Sequence, residues 1–181
     1  MEKKARVVYI LISLIVTFSA ILAGACKSIP LPNSPQESLL VVPYEIDSSF
    51  NNGEIKITSI QMILKNWENQ KERFLILNPG RFFTAIALEP GGYFISKLVV
   101  SCQHVKGGFW QDKHNFSGSF YMEKNVVRYF EKSFYVTADK TGGYRFGYNT
   151  LPYEKLKEKY LKTLQADSHW LAWENLKLVN F

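Results

Sequence analysis

Short β-rich stretches alternate with turns through most of the chain, and this pattern limits the fold more than any other feature. Each stretch is rich in branched or aromatic residues, and each interruption is rich in glycine, proline, asparagine or aspartate. Such segments are typical of strands joined by turns. In the clearest strand, residues 93–103, Leu98 and Cys102 lie in the period of a half-buried strand. The sequence therefore predicts a mainly β domain over residues 39–181, an antiparallel β-sandwich.

A Pro-Gly turn precedes that clearest strand. Proline fixes φ and glycine accepts a positive φ, so the turn over 89–92 is expected to join strands 81–88 and 93–103 as a hairpin. The sequence here, Leu88-Glu89-Pro90-Gly91-Gly92-Tyr93-Phe94-Ile95, resembles transthyretin-like and carboxypeptidase-regulatory-like β-sandwiches. Members often place a strand, a Pro-Gly turn and an aromatic residue in this order. The resemblance implies a sandwich rather than a barrel.

Turn-forming residues predict other connections in the same way. A second hairpin is expected around Lys124-Asn125, and residues 104–117 are expected to form a loop. Pro43 lies within the first predicted strand, 39–46, and indicates an edge position or a bulge because proline cannot donate to a ladder.

The C-terminal part changes period. Tyr160, Leu161 and Leu164 recur at helical spacing after Pro152, which predicts a helix over 152–165. The aromatic segment that follows is expected to dock on the sandwich and to end as a strand over 177–180.

The N-terminal part has the composition of an export signal. A basic start precedes Val7–Ala25, a run of 19 residues without charge, and Cys26 follows directly. Basic, apolar and small-residue regions in this order predict a signal peptide over 1–25. Residues 26–38 contain three prolines and are expected to form an extended tether. At about 3.1 Å per residue this tether would hold the domain about 35 Å from a membrane.

Residues 1–26 resemble a bacterial lipoprotein precursor, with Ala23, Gly24 and Ala25 before the cysteine. The resemblance implies that Cys26 is acylated and anchors the chain to the membrane of a cell envelope. Lys27 is not acidic, which in that family implies the outer membrane. Two alternatives stay open, because Ala23-x-Ala25 also fits ordinary signal cleavage and a run of 19 uncharged residues can span a bilayer uncleaved.

Charge and cysteine content exclude some functions. Residues 1–25 hold three of the 22 basic and one of the 16 acidic residues, which leaves 19 basic and 15 acidic residues in 26–181. A net charge of +4 spread along the chain does not predict a nucleic-acid partner. Cys102, the second of two cysteines, is expected to be a buried core residue rather than a reactive thiol.

Catalytic and metal-binding patterns are weak. Cys102, His104, Asp112 and His114 lack the clustered spacing of a zinc site, and neither a metal nor another cofactor is predicted. Nucleophile motifs such as G-x-S-x-G are absent from the sequence. Glu45, Asp47 and Glu54 could approach one another as the carboxylates of a small hydrolase, and this is the third interpretation of function.

Aromatic residues between glycines suggest a binding surface instead. The candidate contact residues are Phe109, Trp110, Phe116 and Tyr121, which could stack on sugars or anchor a protein, or could simply cap the core. The sequence thus predicts a lipid-anchored envelope protein with a non-enzymatic binding or structural role. A carbohydrate- or peptidoglycan-binding module is the alternative, and the expected partners are an envelope protein or a polysaccharide.

Overall fold

The structure is a computed structural model that describes residues 29–47, 49–50, 54–130, 132–138, 144–150 and 153–180. The predicted signal peptide and Cys26 lie outside these residues. The strands are β1 Ser38–Ile46, β2 Ser49–Phe50, β3 Ile55–Asn66, β4 Glu72–Leu77, β5 Phe83–Leu88, β6 Gly91–His104, β7 Phe109–Met122, β8 Val126–Tyr129, β9 Lys132–Ala138, β10 Tyr144–Thr150 and β11 Lys177–Asn180. The helices are α1 Tyr153–Gln165 and a 3₁₀ helix, Trp170–Ala172.

Two sheets face each other. In the first, β1 pairs with β5 on one side and runs parallel to β8 and then β9 on the other, and β11 and β10 add outside these two strands. In the second, β6 lies between β3 and β7, all antiparallel, and β2 and β4 also pair with β3. This arrangement confirms the prediction of a mainly β sandwich with a C-terminal helix, and β11 is the terminal strand predicted at 177–180.

The inter-sheet core is the apolar cluster between the two sheets. Because side chains alternate along a strand, regular stretches of the strands that line it contribute every second residue. From β1 these residues are Leu40, Val42 and Tyr44, and from β6 they are Leu98, Val100 and Cys102, all at most 2 % exposed. Burial of Cys102 confirms its predicted place in the core.

A second apolar cluster, the outer cluster, lies on the opposite face of the first sheet. Leu39 and Val41, the alternate residues of β1, meet Tyr160 and Leu164 of α1 there. The ring of Tyr160 stacks on Phe82 with centroids 5.6 Å apart. Trp170 and Trp173 complete the cluster, as expected for a C-terminal segment that docks on the sandwich.

The predicted free tether over 26–38 is wrong for residues 29–37, which pack against the domain. Ile29 is buried in the outer cluster, its N–H donates to Asp167 Oδ2 at 2.9 Å, and its carbonyl oxygen lies 2.8 Å from His169 Nδ1. Trp173 Nε1 donates to the carbonyl oxygen of Pro30 at 2.8 Å. The prolines keep this segment from joining a helix or sheet, but three of its backbone groups bond to side chains from the far end of the chain.

Buried Glu37 fixes the next stretch of the same segment. Its carboxylate accepts from the backbone N–H of Asn33 at 2.5 Å and from the Asn33 side chain. The chain thus curls over residues 33–37 before it enters β1.

The two predicted hairpins are also wrong, since both turns carry the chain from one sheet to the other. After the turn at Pro90, β5 pairs with β1 while β6 pairs with β3 and β7. After Lys124-Asn125, β8 leaves β7 and runs beside β1. Turn residues reverse the chain locally, but they do not determine which strand pairs with the next one. That pairing depends on the sheet in which the apolar face of the strand is buried.

Pro43 lies in a central strand rather than at an edge. On the β8 and β9 side, β8 ends opposite Val41 and β9 begins opposite Tyr44. Pro43 therefore lies between the end of β8 and the start of β9, where neither strand requires a hydrogen bond from its missing N–H. On the other side of β1, Pro43 pairs with Phe83 of β5.

Candidate functional site

The four aromatic residues predicted as contacts lie on β7 rather than in a loop. Residues 109–117 extend the second sheet, and every second side chain of β7 turns towards the first sheet. Trp110 and Phe116 face inward against the inter-sheet core. Phe109 and Tyr121 face outward and are 63 % and 55 % exposed. The structure therefore separates the predicted set into two core-facing and two outward-facing residues.

The two outward-facing rings do not form one surface. Phe109 and Tyr121 lie near opposite ends of this 14-residue strand. At about 3.3 Å per residue, the strand between them places their Cα atoms about 40 Å apart. A single sugar or peptide side chain cannot contact both rings.

An open groove of about 560 Å³ lies elsewhere, on the outer face of β1, β9 and β10. Its lining residues are Glu45, Ile46, Asp47, Tyr135, Thr137 and Asn149. The neighbouring residues Tyr44, Phe134 and Val136 point into the inter-sheet core, so strand alternation turns Glu45, Tyr135 and Thr137 outward. The groove offers two carboxylates, two hydroxyl groups, an amide and an aromatic ring within a small area.

Gly147 shapes this groove. It lies opposite Tyr135 in the β9–β10 pair. A Cβ atom at Gly147 would overlap the phenol carbon and oxygen of Tyr135. Only glycine leaves room for the Tyr135 ring to lie across the backbone of β10, where one ring face is supported by the sheet.

Two of the three carboxylates predicted for a hydrolase meet in the groove. Glu45 and Asp47 both line it, whereas Glu54 lies 3.8 Å from Lys106 Nζ near the β6–β7 turn. Burial raises the pKa of Tyr160, and the Glu45 charge nearby adds to the shift. The two carboxylates can accept hydrogen bonds from the hydroxyl groups of a ligand.

The residues weighed as zinc ligands do not converge on one site. Burial, with a contribution from the Asp112 charge, raises the pKa of the Cys102 thiol to about 11. His104 Nδ1 accepts from the backbone N–H of Lys106 at 3.1 Å, and the His114 ring lies 4.9 Å from the Phe146 ring. Among the described residues, no group of three or more His, Cys, Asp or Glu side chains could hold a metal ion.

Sequence reasoning missed Tyr135, Thr137 and Asn149. A glycine inside an aromatic strand, Tyr144-Arg145-Phe146-Gly147-Tyr148, was the available signal, because such a glycine often marks the close approach of another group. The partner strand could not be identified without the pairing of β9 with β10.

Comparisons of the chain with protein-family models, with curated proteins and with solved structures find no match in any of the three. Within the described part of the chain, no helix has the length and apolar character needed to cross a membrane.

Proposed function

We propose that this chain is an exported envelope protein, anchored by lipid at Cys26, that presents its β-sandwich for binding without chemistry of its own. The observation that carries the proposal is the order of segments. An uncharged run is followed by small residues, by one cysteine and then by a folded domain in which Ile29 is already buried. The second cysteine, Cys102, is buried in the core, so Cys26 has no partner for a disulfide within the chain. In an oxidising compartment, where thiols are normally linked in disulfides, attachment of lipid to the sulfur accounts for a cysteine without such a partner.

Intact-mass measurement of membrane-extracted protein tests the anchor. The proposal expects a mature chain that begins at Cys26 and carries acyl chains. The Cys26→Ser variant should keep residues 1–25 or lose them by ordinary cleavage, and should carry no lipid. A wild-type product with an unmodified Cys26 contradicts the proposal.

A second candidate function is the binding of a polysaccharide, and the groove supports it better than β7 does. Carboxylate, amide and hydroxyl groups bind sugar hydroxyls, and a supported aromatic ring such as Tyr135 offers a face for a sugar ring. Trp110, one of the four contact residues suggested by the sequence, contacts the core instead.

Retention on insoluble peptidoglycan or polysaccharide tests this candidate. Tyr135→Ala should abolish retention, and Tyr121→Ala, which removes the same side chain from the outer face of β7, is the matched control. Loss only in Tyr121→Ala would assign binding to β7, and no retention of the wild type would remove the candidate. Release of soluble sugar by the wild type but not by Glu45→Gln would replace binding with the hydrolase interpretation.

A further inference from the structure

The junction, the connection between the predicted anchor and the first described residue of the domain, is short. Ile29 is buried, and the backbone of Ile29 and Pro30 contacts Asp167, His169 and Trp173 at 2.8–2.9 Å. Three peptide units connect Cys26 to Ile29, and at full extension they span about 11 Å. One headgroup layer of a bilayer is about 5–8 Å thick. The surface around Ile29 therefore cannot leave the vicinity of a membrane in which Cys26 is anchored.

We infer that the surface around this junction, with Leu31 and Leu171 exposed on it, lies directly on the lipid bilayer. The inference rests on the anchoring proposed above, and it applies equally if Val7–Ala25 stays in the membrane uncleaved. This inference replaces the predicted arrangement, a domain held about 35 Å from the membrane on an extended tether, with a domain that contacts the headgroups in one orientation.

Two leucines make this surface apolar. Leu171 is 72 % exposed, and it lies between His169 and Trp173, the two residues that hold Ile29 and Pro30. Leu31 directly follows Pro30 and is 52 % exposed. Insertion of leucine side chains among headgroups removes their apolar area from water.

The helix before the junction has a small positive net charge. Residues 153–167 contain Lys155, Lys157, Lys159 and Lys162 against Glu154, Glu158 and Asp167, a net charge of +1, and Asp167 itself contacts Ile29. Basic segments close to a bilayer are attracted by anionic lipids. Reach and exposed apolar side chains thus agree on a lipid surface rather than on a protein partner.

The opposite end of the sandwich supplies a matched control. The outer cluster that holds Ile29 packs on Leu39 and Val41 in the first half of β1. Val105 lies beyond the other end of β1, in the β6–β7 turn, where its N–H donates to the carbonyl oxygen of Glu54. Val105 is 63 % exposed and so resembles Leu171 in polarity and exposure. It should stay in water.

Fluorescence quenching in vesicles tests the orientation. The full chain, with Cys102→Ala to leave one labelling site, carries an environment-sensitive fluorophore at Leu171→Cys or at Val105→Cys. The chains are placed in vesicles of phosphatidylethanolamine and phosphatidylglycerol that contain a spin-labelled lipid. Quenching at position 171 should exceed quenching at position 105 by at least about threefold, because only position 171 is held next to the short junction.

Lengthening the junction tests the cause. Ten Gly and Ser residues inserted between Ser28 and Ile29 would add a flexible reach of about 16–19 Å. Quenching at position 171 should then fall towards the value at position 105. Quenching that survives the insertion overturns the inference that the short junction sets the orientation.

Flotation with the vesicles separates the two proposals. Chains that fail to float show that the anchoring has failed, and the orientation fails with it. Chains that float but show equal quenching at both positions overturn the orientation and leave the anchoring intact. A label at position 171 that is shielded in native membranes yet not quenched by spin-labelled lipid indicates a protein partner, which also overturns it.

Discussion

The two apolar clusters of this domain are built in different ways. The inter-sheet core is made of side chains that alternate along strands, such as Val100 and Cys102 of β6. The outer cluster joins residues from both ends of the described chain, so that Ile29 contacts Asp167, 138 positions away, and Pro30 contacts Trp173, 143 positions away. The first cluster follows from local pattern, and the second depends on a meeting of distant segments.

This difference explains why a proline-rich segment can be part of the fold. Proline excludes residues 29–37 from helix and sheet, yet it does not prevent Ile29 from burying its side chain or its backbone from bonding to other side chains. A lack of regular structure therefore does not identify a tether. The remaining connection to Cys26 is short enough to orient the domain on a membrane.

Ile29→Ala should lower the free energy of unfolding more than any other substitution proposed for the two clusters. Loss of a buried isoleucine side chain leaves a cavity and costs about 2–4 kcal/mol. Urea unfolding of the detergent-extracted full chain measures this loss of stability as a lower midpoint concentration of urea, with an unchanged dependence of the free energy on urea concentration. Leu31→Ala, two residues along and exposed, should change the free energy of unfolding by less than about 0.5 kcal/mol. Equal effects of the two variants would mean that residues 29–37 are a tether after all.

Trp110→Ala should come next and probes the inter-sheet core. Trp110 is half-buried against that core, so its loss should cost about 2 kcal/mol, less than for a fully buried tryptophan. Phe109→Ala, the adjacent outward-facing aromatic, should cost less than about 0.5 kcal/mol. The same unfolding measurement applies to both variants. A larger loss of stability in Phe109→Ala than in Trp110→Ala would contradict the alternation of inward-facing and outward-facing side chains along β7.

Alternation and turn composition were sufficient to predict the fold class. Helical spacing after Pro152 predicted a helix over 152–165, which the structure has over 153–165, and the terminal strand was predicted at its observed bounds, 177–180. Alternation also placed Cys102 in the core, because its phase within β6 is a local property. These local patterns were not sufficient for strand partners: the turn at Pro90 signals a reversal, but nothing in its sequence says that β5 and β6 enter different sheets. The groove was missed for the same reason, since Tyr135 and Glu45 meet only through the parallel pairing of β1 with β9.

Alkaline pH should reveal the burial of Cys102. Its pKa is raised from 9.0 to about 11 in the folded state by burial and by the Asp112 charge. As pH rises above 9, the unfolded state loses this proton first, so folding stability falls between pH 9 and pH 11. At pH 10 the loss is about 1.4 kcal/mol.

Comparison with Cys102→Ala isolates this contribution from that of the buried tyrosines, which both proteins share. The wild type should lose about 1.4 kcal/mol more than the variant between pH 8 and pH 10. Parallel pH profiles would show that the thiol is accessible to solvent in the folded state.

Asp167→Asn should have the smallest of these effects and measures the polar part of the outer cluster. Asp167 uses one carboxylate oxygen for the N–H of Ile29 and the other for the N–H of His169, each at 2.9 Å. Asparagine offers one acceptor, so one N–H loses its partner at a cost of about 1 kcal/mol. Glu174→Gln, which removes a charge from an exposed position nearby, should cost less than about 0.5 kcal/mol. If both variants unfold at the wild-type midpoint, Ile29 is held by its apolar side chain alone, and the junction to Cys26 can loosen without loss of the outer cluster.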